Sequence, residues 1–252
     1  MAHRDEIVAH LDGLLGAGGW DDYCPNGLQV IGRDEVEKVV TGVSAHRELF
    51  ERAAGAGAHL VLCHHGIFWR STPQTVGVQM KGRLKALFDA DMSLAAYHLP
   101  LDEHPELGNN ALICDGLGLR RGERFGEVAG KLTGFVGVAD EPLTPDELAG
   151  RCGRLFGREP LVLGGGPQAV RRVGIVSGGA AHLIAEAAEL GLDAFVTGEA
   201  EEPSLADAAE LGVTLLACGH YATEVVGIRR LGEVVAERFG VAHEFIEVAN
   251  PV

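Results

Sequence analysis

Apolar positions along this chain recur with two alternating periods, and the alternation sets the expected architecture. Residues 4–16 place Ile7, Val8, Leu11, Leu14 and Leu15 at the spacing of an amphipathic helix. From residue 37 onward, short apolar runs of strand length alternate with helical patterns. They predict a strand at 37–43, a helix at 45–56, a strand ending at His64, a helix at 80–90 and a strand at 93–97. A helix is expected over 106–119. After a less regular middle the alternation resumes, with strand 171–176, helix 180–190, strand 193–197, helix 203–211, strand 213–218, helix 221–238 and a last edge strand at 241–248. Strands alternating with helices predict an α/β fold with mainly parallel sheets.

The middle, 120–170, offers a strand near 131–138 and a helix near 144–156. Thr144-Pro145-Asp146-Glu147 supplies an N-cap, a proline at the first helical position and a glutamate at the third, which is a capping box. Gly164-Gly165-Gly166-Pro167 lacks the lysine and hydroxyl of a phosphate-binding loop and reads as a connecting turn. Trp20 to Gln29 is turn chemistry punctuated by Pro25-Asn26-Gly27.

An internal echo organises these elements. "ERAAGAGAHLVLCHH" at 51–65 resembles "AEAAELGLDAFVTGE" at 185–199, and "LKALFDADMSLAAYH" at 84–98 resembles "LADAAELGVTLLACGH" at 205–220. The expectation is one domain, 1–252, made of two related α/β lobes. Lobe one is about 1–125 plus the C-terminal segment and lobe two about 126–240, with a metal site in the cleft between them.

Composition narrows the function classes. The formal net charge is −15, from 36 acidic and 21 basic residues. Such a surface repels phosphate backbones, so nucleic acid is not an expected partner. A nucleotide substrate stays open, because a bound metal ion dominates its local field. No apolar run approaches transmembrane length and no secretory leader pattern opens the chain. The five cysteines are widely spaced without a C-x-x-C pair, which suits reduced thiols in a cytoplasmic protein. Cys63 and Cys218 sit inside apolar runs and read as buried small hydrophobes.

The candidate chemistry lies where strands end. His64-His65 closes one strand, and neighbouring strand residues point in divergent directions, so the pair is expected to reach two points in a cleft. The equivalent strand ends supply His98-Leu-Pro-Leu-Asp102 and His220-Tyr-Ala-Thr-Glu224, a carboxylate four residues after a histidine in both. At a helix start that spacing puts His220 and Glu224 on one face. Around 98–102, Pro100 argues against regular helix, so a loop must place Asp102. Imidazole nitrogens with carboxylate oxygens suit zinc, iron, manganese or nickel, and the number of donors points to two ions. His98 reads as a direct ligand or as a ring hydrogen-bonded beside the ligands. Glu224 has the alternative role of a first-turn acid facing the helix dipole. Glu199 occupies the position of the histidine pair in the second half, and it joins His98 and His104 as a candidate proton carrier. Asn109 and Asn110 follow as substrate contacts or helix caps.

"DYCPNGLQV" at 22–30, "CHHGIFW" at 63–69, "YHLPLDEHPELGNN" at 97–110, "TGEAEEPS" at 197–204 and "GHYATEVVGIRRL" at 219–231 span nearly the whole chain. On these motifs the chain resembles the Nif-three-like dinuclear-metal family, whose members often carry the label GTP cyclohydrolase I type two. It is most similar to the short bacterial form without the insertion domain. The resemblance implies two divalent ions per subunit held by His64, His65, Asp102, His220 and Glu224, with Glu224 bridging. It also implies a toroidal homohexamer and a metal-dependent hydrolase acting on a nucleotide or other small molecule. A non-catalytic metal-binding or metal-trafficking hexamer is the competing reading.

Overall fold

The computed structural model describes residues 1–73 and 75–252. The chain forms two compact units. The first comprises residues 1–101 and 227–249, and the second residues 102–226 and 250–252.

The first unit is built on a five-stranded sheet. Its order is Ala242–Phe245, Lys38–Ser44, Leu60–His65, Ser93–Ala96 and Gly27–Val30. The first four run parallel, with Val40 opposite Val61 and Cys63 opposite Ala96, and Gly27–Val30 closes the edge antiparallel to Ser93–Ala96. Lys38–Ser44 and Leu60–His65 are buried almost throughout. That is the reason they read as unbroken apolar runs: a parallel strand is covered on both faces. Val40, Val61, Cys63 and Leu94 pack on Leu49 and Phe50 of helix Arg47–Gly55 and on Leu87 of helix Val78–Asp89. The expected turn over 20–29 is shorter than its sequence suggests. Pairing with residues 94–96 draws Gly27–Val30 into the sheet.

The second unit carries a six-stranded sheet in the order Arg120–Val128, Lys131–Leu143, Val170–Ile175, Ala194–Thr197, Thr214–Ala217 and Leu161–Leu163. Its three central strands, Val170–Ile175 to Thr214–Ala217, are parallel and its flanks antiparallel. Side-chain alternation splits them between two cores. Val173, Val196 and Leu216 pack on Leu148 and Cys152 of helix Pro145–Phe156, while Phe195 and Leu215 pack on Ile184, Ala187 and Ala208. The capping box of helix Pro145–Phe156 is present, with the Glu147 N–H donating to Thr144 Oγ1 and the Thr144 N–H to Glu147 Oε2. The fold class is therefore α/β with two sheets of mixed direction around parallel cores.

Three local readings change. Strand Arg120–Val128 is absent from the periodicity because "RRGERFGEV" is charged, and its pairing with Lys131–Leu143 creates it. Residues 106–119 are helical only over Asn109–Gly116. Residues Leu99–Glu103 form a short helix despite Pro100, since a proline in a first turn removes no intrahelical hydrogen bond. None of the five cysteines is in a disulfide, and all are buried. Among the described residues, no helix is long and apolar enough to cross a membrane.

Candidate metal centre

In the first unit, the parallel strands deliver His64, His65 and His98 to their carboxyl ends, where open α/β sheets hold ligands. The three rings converge, each offering a nitrogen within 4.8 Å of the others. The His64 and His65 centroids are 4.7 Å apart, so the expected divergence of the pair does not hold. Strand alternation governs interior residues, and His65 is the last residue of its strand.

Each ring is oriented through its Nδ1. His64, fully buried, places Nδ1 3.0 Å from the Tyr97 carbonyl, and His65 places it 3.3 Å from Ser44 Oγ. His98 has Nδ1 2.7 Å from Asp22 Oδ1. A histidine held at one nitrogen presents the other in a fixed direction, the arrangement used by metal-ligating imidazoles.

Asp22 is the residue beside these rings that the periodicity misses. Its carboxylate accepts the Leu99 N–H and the Asn26 amide as well as facing His98, and Asn26 Oδ1 in turn accepts the His98 N–H. Burial pushes the Asp22 carboxyl up. The His98 ring, the Asn26 amide and the Leu99 N–H outweigh burial and leave it below its ordinary value. The visible signal was Asp22-x-x-x-Asn26 beside a proline, a self-bonding turn aimed inward.

Gly66, next to the pair, keeps no room for a side chain. A Cβ there would lie 2.2–2.7 Å from the Gln29 amide, which accepts the Ile67 N–H and donates to the Pro25 carbonyl. The glycine serves close approach. Gly66→Ala is expected to cost about 1–3 kcal/mol as overpacking, read by urea unfolding, and Gln29→Ala in the same chain should recover part of it.

In the second unit the helix His220–Phe239 begins at the end of strand Thr214–Ala217 and sets His220 Nε2 3.0 Å from Glu224 Oε1. Glu199, at the end of strand Ala194–Thr197, has Oε1 2.6 Å from His220 Nδ1. Burial lowers the His220 pKa, but the flanking Glu224 and Glu199 carboxylates raise it more, to about 9. An imidazole between two carboxylates is a place that favours positive charge. Gly178, in a left-handed conformation with φ +70°, packs on this pair; a Cβ would lie 2.7 Å from Glu224 Oε1.

Asp102, also buried, sits on short helix Leu99–Glu103. It accepts Asn109 Nδ2 at 2.8 Å and Ser177 Oγ at 3.1 Å, both on Oδ1. Asn110 Oδ1 accepts the Ser177 N–H, so the asparagine pair and the Ser177–Gly178 turn hold the carboxylate together. Asn109→Ala is expected to destabilise the chain by roughly 1.5–3 kcal/mol, the usual worth of a hydrogen bond to a charged group, measured by chemical denaturation. His104 has its Nδ1 accepting the N–H groups of Glu106 and Leu107.

The donors fit a divalent cation: imidazole nitrogens and buried carboxylate oxygens, each oriented by a bond to its other atom. The sequence pattern of the Duf34/NIF3 (NGG1p interacting factor 3) family matches residues 2–251. A GTP cyclohydrolase 1 type 2 homolog of Pseudomonas aeruginosa is 42% identical over 97% of this chain and 97% of its own. The solved structure of protein ybgI, of unknown function, superposes with a TM-score of 0.93 at 39% identity, covering 99% of this chain and 100% of that one. TTHA1606 from Thermus thermophilus gives 0.90 at 34% identity with the same coverage. By sequence and by fold, this chain is a member of the Duf34/NIF3 family.

Proposed function

We propose that the protein is a dinuclear metal-dependent hydrolase acting on a nucleotide-type substrate, whose divalent ions would be held by His64, His65, Asp102, His220 and Glu224. The observation that supports it most is the orientation of the donors: His64 through the Tyr97 carbonyl, His220 through Glu199, Asp102 through Asn109 and Ser177. Two ions bound there would supply Lewis acidity toward water and a substrate oxygen. Zinc, iron, manganese and nickel all accept such donors. The substrate class comes from relatives named GTP cyclohydrolase 1 type 2 homolog.

Within this reading the chain's own residues divide the work. His98, locked on Asp22, is the favoured proton carrier, because a ring fixed at Nδ1 exchanges protons at Nε2 in one direction. Glu199 orients His220. His104, occupied with two backbone amides, is the weakest candidate of the three. A homohexamer completes the proposal, and light scattering on the purified chain tests it.

Reconstitution with each metal followed by a nucleotide-turnover screen tests the catalytic reading. A second reading, a metal-holding or metal-transfer protein, draws on the burial of His64 and Glu224, at 0% and 2% exposure, since closed sites are structural. Stoichiometric metal that passes to an acceptor chelator without any nucleotide turnover would decide for it.

A further inference from the structure

Both tryptophans of the chain, Trp20 and Trp69, line one cleft of about 800 Å³ in the first unit, with Tyr23, one of only three tyrosines, beside them. Neither tryptophan belongs to the hydrophobic cluster of this unit, whose fully buried members are aliphatic side chains, Phe50, Cys63 and Met92. Small-molecule sites occupy about 300–1,000 Å³ and combine aromatic walls with a few polar groups that fix orientation.

The polar groups of the cleft have different commitments. Asp22 and Asn26 are engaged with His98, and Arg70 is ion-paired with Asp21. Asp12 accepts the Tyr97 hydroxyl on Oδ1 at 2.8 Å. Burial, reinforced by the Asp12 charge, pushes the Tyr97 pKa up and keeps that hydroxyl a donor. A carboxylate has more acceptor capacity than one such bond uses, so Asp12 offers the cleft a fixed acceptor. The cleft also borders the histidine cluster. The Trp69 ring lies 5.2 Å from His98 and 5.6 Å from His65, and Tyr23 lies 6.4 Å from His98.

We infer that this cleft binds a planar nitrogen heterocycle, stacked on its aromatic walls with an N–H edge donated to Asp12. The acceptor carboxylate selects rings that carry N–H donors, and the tryptophan and tyrosine faces supply stacking that any planar base can use. That the ring belongs to the substrate, with its reacting part toward His65 and His98, rests on the hydrolase reading above.

Because both tryptophans line the cleft, their fluorescence reports on it directly. The full chain, chelator-treated and separately zinc-loaded, is titrated with guanosine, 1-methylguanosine and ribose. Guanosine should quench the emission saturably and ribose should not. Tyr23→Ala, at a half-exposed position, should weaken guanosine on the order of ten-fold. 1-Methylguanosine, which lacks one N–H, should bind more weakly than guanosine to the native chain and equally to Asp12→Asn. Absence of saturable quenching by guanosine, or quenching unchanged in Tyr23→Ala, overturns the inference. Equal binding of guanosine and 1-methylguanosine to the native chain overturns the role of Asp12. Guanosine binding without metal-dependent turnover removes the hydrolase reading and keeps the cleft. Turnover without quenching removes the cleft and keeps the hydrolase.

Discussion

His64→Ala combined with Glu224→Ala should leave a folded protein that retains no stoichiometric divalent metal and shows no metal-dependent turnover. Removing a group that merely orients a ligand costs about 10–100-fold in affinity. If His64 and Glu224 are the direct donors proposed, removing both, one imidazole and one carboxylate, costs more. Both side chains are buried, so each truncation also opens a cavity; far-ultraviolet dichroism and the unfolding midpoint separate that cost from the metal effect. Glu199→Gln supplies the graded comparison. It keeps a partner for His220 Nδ1 but withdraws the charge, and should lower metal affinity by about 10–100-fold without abolishing it. Elemental analysis after dialysis reads all three chains. Metal-dependent hydrolysis that survives in the double variant would sink the proposed function.

Asp22→Asn should be the most damaging single isosteric change. The native carboxylate faces donors on every side: the His98 ring, the Asn26 amide and the Leu99 N–H. An asparagine must turn its NH₂ toward one of them, placing donor against donor in a site where the Asp22 side chain is 2% exposed. Each hydrogen bond to a buried charged group that is lost typically costs about 1.5–3 kcal/mol. Relief comes from a tautomer change in His98, with Nδ1 accepting from the new amide. The proton then sits on Nε2, which can no longer accept a proton or bind a cation. The variant should therefore be less stable in urea and, where folded, impaired in turnover out of proportion to its metal content. Asp22→Asn with native stability and native turnover would show that His98 needs no carboxylate partner.

Much of this architecture was legible in the residues themselves. Unbroken apolar runs such as Val61-Leu62-Cys63 mark strands covered on both faces. The echo between 51–65 and 185–199 corresponds to matching strands in the two sheets: Leu60–His65 and Ala194–Thr197 each lie in the middle of three consecutive parallel strands. Histidines and carboxylates at strand ends were readable because side chains that leave the sheet there do not serve the core. The capping box before Pro145–Phe156 is a local interaction and needed only four residues to be read.

Long-range pairing decided the rest. Arg120–Val128 is a strand because Lys131–Leu143 lies beside it, and no period in its own charged sequence says so. Asp22 meets His98 across 76 positions, and Ser177 meets Asp102 across 75. Such hydrogen bonds are invisible to any window on the sequence. The convergence of His64 with His65, against strand alternation, depends on where the strand stops. Composition and spacing alone determined an α/β chain with histidines and carboxylates at its strand ends. The tertiary structure alone decided which nitrogen of each histidine is held, what holds Asp102, and that both tryptophans share one cleft. A side chain's type sets what it can bind, but its bonded partners, distant along the chain, set the direction in which it binds.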